Sequence, residues 1–302
     1  MTPSRAHAKK EPRYLEELTY TVADRPSLQK EDLFASDKFL GMYDERQIMG
    51  MLKKAGMIEI LYRRGYRDLV ISVSKQDNYT SRLYVDYNSK EEKETRLIEV
   101  IVREAVFRPK QSFVQGYDFQ EGLSILLIEW LALQDPRASF TPDKPRLPGQ
   151  EHPGLGGLKN MQGVLYSLGR KIGKDAIIDI PEYYHAAVIY SRLYSELYSR
   201  KYSFFSPFDG GQLQAMIRDF KGEPLADVSF AVALDCLRNA RTGEPAHWMP
   251  SEQVYPISEK LHRYFAQWEY KEIVEKTMSE LSFAMDWEKY ERLKQQGIAN
   301  EI

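Results

Sequence analysis

A single cysteine, Cys236, stands in a chain of 302 residues, which excludes a disulfide framework and a thiolate cage around a metal. Its neighbours Ala231-Val232-Ala233-Leu234-Asp235 and Leu237 make it read as a small buried apolar side chain rather than a reactive thiol. No apolar run approaches the roughly 18 residues of a membrane span, and no apolar segment follows the charges of the first ten residues. A cytoplasmic protein without a membrane span is therefore expected. The five histidines are scattered, without a His-x-x-x-His, His-His or Asp-x-His grouping, so no metal site is expected and a metal-dependent deacylase ranks last among the readings. An excess of one charge is also lacking. The 42 Lys and Arg nearly balance 44 Asp and Glu, leaving no field that would draw in nucleic acid.

What is present is enough apolar sequence, 43%, for a sizeable core. Residues 1–43 mix charge, Pro and Ser with little periodicity and predict a flexible arm, whose basic cluster at residues 5–10 reads as a solvated tail. From Asp44, the residues Ile48, Met51, Leu52, Ala55, Ile58 and Tyr62 recur every three or four positions, an amphipathic helix ending near Gly65. The period then becomes two. Leu69, Ile71 and Val73 alternate with polar neighbours, as do Leu83, Val85 and Tyr87, and Ile98, Val100 and Val102 continue the pattern in residues 96–107. Residues 123–133, LSILLIEWLAL, are almost wholly apolar, as expected of a strand covered on both faces.

After a Pro-rich link at residues 134–150 come a helix from Leu158, a strand at residues 176–180, a helix at 182–198 and a last strand at 202–206. Short early links suit antiparallel pairing, whereas the later strand–helix–strand units need crossovers. The order predicts an α+β or mixed α/β fold, a mixed sheet flanked by helices, over residues 44–207. Residues 208–302 are expected to form a helical extension packed on that core, with helices at 212–220, 225–241 and 258–294. The apolar phase of the last slips across residues 269–272, and the stretch beyond Glu272 is expected to be available to a second copy or another protein.

The strongest local signal is Gln150-Glu151-His152-Pro153-Gly154-Leu155-Gly156-Gly157 running into a helix. Glycines there let backbone N–H groups converge on an anion, and the helix dipole adds to the attraction. A simple turn capped by a helix explains the same spacing. No Gly-Lys-Ser/Thr follows, and the preceding strand is not adjacent, so neither a P-loop nor a dinucleotide fingerprint is present. Glu129 is the lone charge in residues 123–133. Its position is that of a buried general base with a raised pKa, or of a carboxylate satisfied by one arginine. His185 falls close to a strand end where substrates bind in such sheets, and His152 lies in the turn itself. Both are also ordinary surface or core histidines.

Residues 66–206 resemble the GNAT superfamily of acyl-CoA-dependent N-acyltransferases. The match lies in His152-Pro153-Gly154-Leu155-Gly156 before its helix, in Ala176-Ile177-Ile178-Asp179-Ile180, and in Ala186-Ala187-Val188-Ile189-Tyr190, which is similar to the family's Ala-x-x-Leu-Tyr. The resemblance implies an acyl-CoA co-substrate whose pyrophosphate rests on Gln150, His152, Gly154, Leu155, Gly156 and Gly157, with the pantetheine arm along Leu131 and Leu133. It further implies Tyr190 as the proton donor to the departing thiolate, and an amine as acceptor. Glu151 stands in the family's Gln/Arg place and Tyr183 where many members carry Asn, while the link at residues 134–149 is long for the family and is placed to cover the acyl site. A non-catalytic acyl-CoA or acyl-carrier binding protein on the same fold is the alternative.

Overall fold

A computed structural model describes residues 20–23, 38–88, 93–193 and 202–302. The basic cluster at residues 5–10 and the tyrosine-bearing residues 194–201 lie outside them. Asp44 opens helix α1 (Glu45–Lys54) by accepting the Gln47 N–H at 2.8 Å, and the Gln47 side chain accepts the Asp44 N–H at 3.0 Å. Two orphan donors are satisfied reciprocally. The single helix predicted to Gly65 is broken at Gly56, whose φ of +78° is open to a residue without Cβ. A second helix, α2 (Met57–Arg63), follows.

The change of period to two produces an antiparallel meander of β2 (Leu69–Lys75), β3 (Thr80–Tyr87), β4 (Arg96–Pro109) and β5 (Leu123–Leu133). Strand β1 (Tyr20–Ala23) adds to the far end of β4. Helix α3 (Leu158–Lys171) carries the chain over to β6 (Ala176–Asp179), which pairs in parallel with β5. The sheet is mixed. Val100, Val102, Leu126, Ile128 and Ile177 form one core with α1, α2 and α3, while Ala105, Phe107, Ile125 and Ile178 form another on the opposite side.

Beyond β6 the chain runs through α4 (Tyr184–Arg192), β7 (Ser203–Phe204), α5 (Pro207–Asp219) and α6 (Leu225–Ala233). The region from residue 208 is not the helical extension that the sequence suggests. Besides α7 (Glu259–Ala266), α8 (Trp268–Glu280) and α9 (Trp287–Gln295), it supplies three strands. β8 (Leu237–Asn239) and β10 (Phe283–Met285) make a separate ribbon. β9 (Gln253–Pro256) enters the main sheet between β6 and β7, antiparallel to both, giving the order β2-β3-β4-β5-β6-β9-β7. All four residues of β9 are buried, so no alternation betrays a strand. Residues 44–207 therefore do not complete their own sheet.

Part of the stretch after Glu272 packs on the chain itself. Helices α5 and α8 pack so closely that a Cβ on Gly211 would lie 2.5 Å from Thr277 Cβ. Arg218 donates to the carbonyls of Met278 and Leu281, and Tyr290 of α9 is buried. The phase slip is a break at Gln267, which is extended between α7 and α8. Among the described residues no helix is long and apolar enough to cross a membrane.

A fragment ending at Pro207 lacks β9 and exposes the edge of β6, so it is expected to aggregate. One ending at Lys271 cuts α8 and removes β10 from β8, and it should melt well below the full chain. A soluble 1–207 fragment with a cooperative melt would overturn this account.

Candidate functional site

Strand β5 is paired on both sides only as far as Ile128. On the β6 side the register runs from Ile125↔Ala176 to Ile128↔Asp179 and stops. On the β4 side it continues to Ile98↔Leu133, with a shift between Val102↔Ile128 and Ile101↔Trp130 that leaves Glu129 unopposed. An extra residue of this kind bends its strand and increases the local twist. The parallel pair thus parts at the carboxyl ends of its strands, where open sheets hold ligands.

The glycine turn returns to the same place. Gln134 bridges Gly154, the Asp135 N–H donates to the Pro153 carbonyl at 2.8 Å, and the Leu155 N–H to that of Leu133 at 3.0 Å. Residues distant in sequence from the strand end are thereby stapled to it. Gly156 and Gly157 follow with φ of +76° and +83°. A Cβ on Gly156 would meet nothing within 4 Å, so the backbone faces open space at the start of α3. The α3 N-cap, Gly157, makes no side-chain hydrogen bond to the helix, and its first N–H groups are left to other acceptors. On Gly157, in contrast, a Cβ would strike Met57 and Ile60 at 2.9 Å. Glycine there serves helix packing.

The link at residues 134–150 is held at both ends. Asp135 accepts the Tyr66 hydroxyl and, at 2.9 Å, Arg64. Burial works against its charge, but these two donors hold the carboxyl below the usual range. At the other end Gly149 lies against the Tyr183 ring, where a Cβ would be 2.8 Å from Cε2, so the link covers the entry to α4.

Several expected site residues are placed differently. Glu129 is not a lone buried carboxylate. It is exposed and bonded to Arg103 at 2.6 Å, because the bulge turns it out of the core. His185 is buried, with Nδ1 2.8 Å from Ser229 Oγ of α6, and its ring stacks on Tyr183. Burial pushes its pKa down to about 4. It faces α6, about 140° around α4 from Tyr190 by helical geometry, and is not gathered with it. The Gln150 side chain accepts the Leu147 N–H at 3.2 Å, so it serves the link's own turn. His152 is half-buried and Glu151 exposed at the turn. Leu131 and Leu133 lie along the end of β5 that continues past β6, half-buried against the core shared by α1 and α3.

Tyr190 is buried beside a carboxylate that sequence patterning passes over. Asp179 ends β6 and by alternation follows Ile177 onto the α3 face. It retains some accessible surface, yet desolvation raises its pKa to about 7. Burial, and then the nearby Asp179 charge, hold the phenols of Tyr190 and Tyr202 well above the ordinary tyrosine value. The Tyr190 and Tyr202 rings lie 4.9 Å apart and those of Tyr202 and Tyr255 5.1 Å. The Tyr202 hydroxyl donates to Gln162 Oε1 at 2.8 Å, while Gln162 Nε2, on a side chain from α3, is buried without a partner. A single Asp among apolar residues in a four-residue strand was the available signal.

No protein-family model matches the chain, and no curated protein matches it in sequence.

The Asp179 carboxyl has a folded pKa above its unfolded value. Its contribution to stability is therefore full below about pH 4 and is lost as pH rises through about 7, a penalty on the order of 4 kcal/mol when ionised. Asp179→Asn removes that penalty. Its melting temperature should exceed that of the parent at pH 8 by more than at pH 5, and parallel pH curves would show that Asp179 is not the perturbed group.

Proposed function

We propose that the chain transfers an acyl group from an acyl-CoA thioester to an amine. The observation that carries this reading is the parting of β5 from β6 at the Glu129 bulge with the glycine turn stapled to the same strand end. An extended arm bearing amide groups suits the edge of β5 at Leu131 and Ala132, since strand edges take up peptide-like chains through main-chain hydrogen bonds. A diphosphate at the end of that arm would reach the uncapped start of α3, where free N–H groups and the helix dipole favour negative charge. Further along, the buried Tyr190 keeps its proton at neutral pH and is suited to deliver it to a departing thiolate. The antiparallel meander followed, after the glycine turn and α3, by β6 parallel to β5 supports the same reading.

Binding without catalysis is the second reading, favoured by the pairing of Glu129 with Arg103. Thiol release separates the two.

Titration calorimetry with coenzyme A and acetyl-CoA tests the site. Gly154 has ordinary φ, and a Cβ there would meet only the Leu133 carbonyl at 3.7 Å. Gly154→Val should therefore fold normally but weaken binding by about tenfold or more, as its branches enter the space over the turn. Binding by the parent that is unchanged in both Gly154→Val and Gly156→Val would remove the anion site from this turn.

A further inference from the structure

Resting on the acyl-transfer reading, we propose that Asp179, not Glu129, accepts the proton of the incoming amine, and that Gln162 and Tyr202 position it against Tyr190. Three structural observations converge. Asp179 is the last residue of β6 and pairs with Ile128, the last residue of β5 before the strands part, so its carboxyl stands at the head of the opening. The two phenols that feel its charge come from separate elements, Tyr190 from α4 and Tyr202 ahead of β7, and behind Tyr202 stand Gln162 of α3, bonded to its hydroxyl, and Tyr255 of β9 against its ring. None of these is cationic. Among the described residues the only hydrogen bond to the carboxylate is from the Ile180 N–H.

The buried Nε2 of Gln162 is the second, independent sign of a ligand. A buried amide donor without a partner costs stability unless something bonds it. The Tyr202 hydroxyl fixes Oε1 of the same amide at 2.8 Å. That leaves Nε2 as a buried donor on the side chain that holds Tyr202, free for a polar atom of the bound substrate. A core that needed only to be filled would hold none of these polar atoms.

The chemistry balances with these residues alone. An ammonium acceptor gives one proton to the Asp179 carboxylate, and the amine lone pair forms the C–N bond at the thioester carbon. Collapse of the tetrahedral adduct breaks the C–S bond, and its electron pair leaves on sulfur, which takes the Tyr190 phenolic proton. The phenolate recovers a proton from the adduct nitrogen. The products are an amide, a thiol and, from Asp179, one proton released to water. Burial of the carboxylate near the tyrosines places its titration close to neutrality, where a base is both ionised and strong enough to act.

The test uses the full chain, with acetyl-CoA and a panel of spermidine, a lysine-containing peptide and phenylethylamine, following thiol release. Asp179→Asn should bind coenzyme A within about threefold of the parent and lose about 10²-fold or more in turnover. Asp179→Glu should recover part of the rate with a displaced acid limb in the pH profile. Glu129→Gln should retain turnover within a few-fold. In infrared difference spectra, the parent should show one carboxyl titrating near neutrality that Asp179→Asn lacks. Gln162→Leu should shift that titration and lower turnover without changing coenzyme affinity. Turnover of Asp179→Asn within threefold of the parent, or a Glu129→Gln loss as large as that expected for Asp179, overturns the assignment while leaving acyl transfer in place. Absence of coenzyme A binding by the parent overturns both.

Discussion

A residue inserted into a strand that is paired on both sides cannot be absorbed by both neighbours in register. At Glu129 the chain resolves this by keeping β4 and giving up β6. Pairing with β4 resumes at Trp130 and runs to Leu133, whereas β6 ends at Asp179, opposite Ile128. The rest of the site depends on that choice. It leaves a strand edge at the middle of the sheet rather than at its border, with a carboxyl at the point of divergence and room for the 153–155 segment to return against the strand end. The same twist that opens the edge sends the Glu129 side chain outward to Arg103. The bulge is thus the reason both for the opening and for the displacement of the residue that seemed best suited to work in it.

The polar cluster at Asp179 runs against what packing alone would select. The carboxyl is desolvated, the amide of Gln162 is half satisfied, and of the two tyrosines that meet there Tyr202 gives its hydroxyl to Gln162 of α3. Three other buried charges among the described residues are compensated. Lys174 meets Glu104 at 2.8 Å, Asp86 meets Arg96 at 2.5 Å, and Asp135 takes Tyr66 and Arg64. The molecule can satisfy buried charge where charge serves the fold. The desolvated carboxyl at this strand end is the contrast on which the assignment proposed for Asp179 rests.

Much of the architecture was legible because its signals are local. The period-two alternation located β2, β3 and β4, the unbroken apolar run located β5, and the glycines located the start of α3. The mixed pairing followed from link lengths. What escaped was set by tertiary context. β9 is four buried residues, QVYP, whose strand character comes from lying between β6 and β7. Glu129 looked buried because its neighbours are apolar, but a bulge is a property of pairing and not of the strand's own composition. His185 looked well placed by its distance from β6, yet helix phase turns it toward Ser229. Asp179 was visible as the only acid in its strand, and nothing short of the structure shows that Tyr190 and Tyr202 lie close to it.

The insertion of β9 binds the site to the whole chain. Asp179 stands opposite Gln253 in the register, and Tyr255 of the same strand supports the Tyr202 ring. Gln253 also donates to the Ala187 carbonyl at 3.0 Å, tying β9 to the helix that carries Tyr190. One short strand therefore touches the elements bearing both the carboxyl and the phenol. Because β9 follows β6 only after α4, β7, α5, α6 and β8, these contacts are non-local, and such contacts bear loop-closure entropy before they return any stability. Helices α5 and α8 offset that cost by clamping the intervening chain, with Gly211 admitting Thr277 at a distance no side chain would allow. The arrangement of Asp179 and Tyr190 thus rests in part on the close packing of α5 and α8, neither of which carries a residue of the cluster.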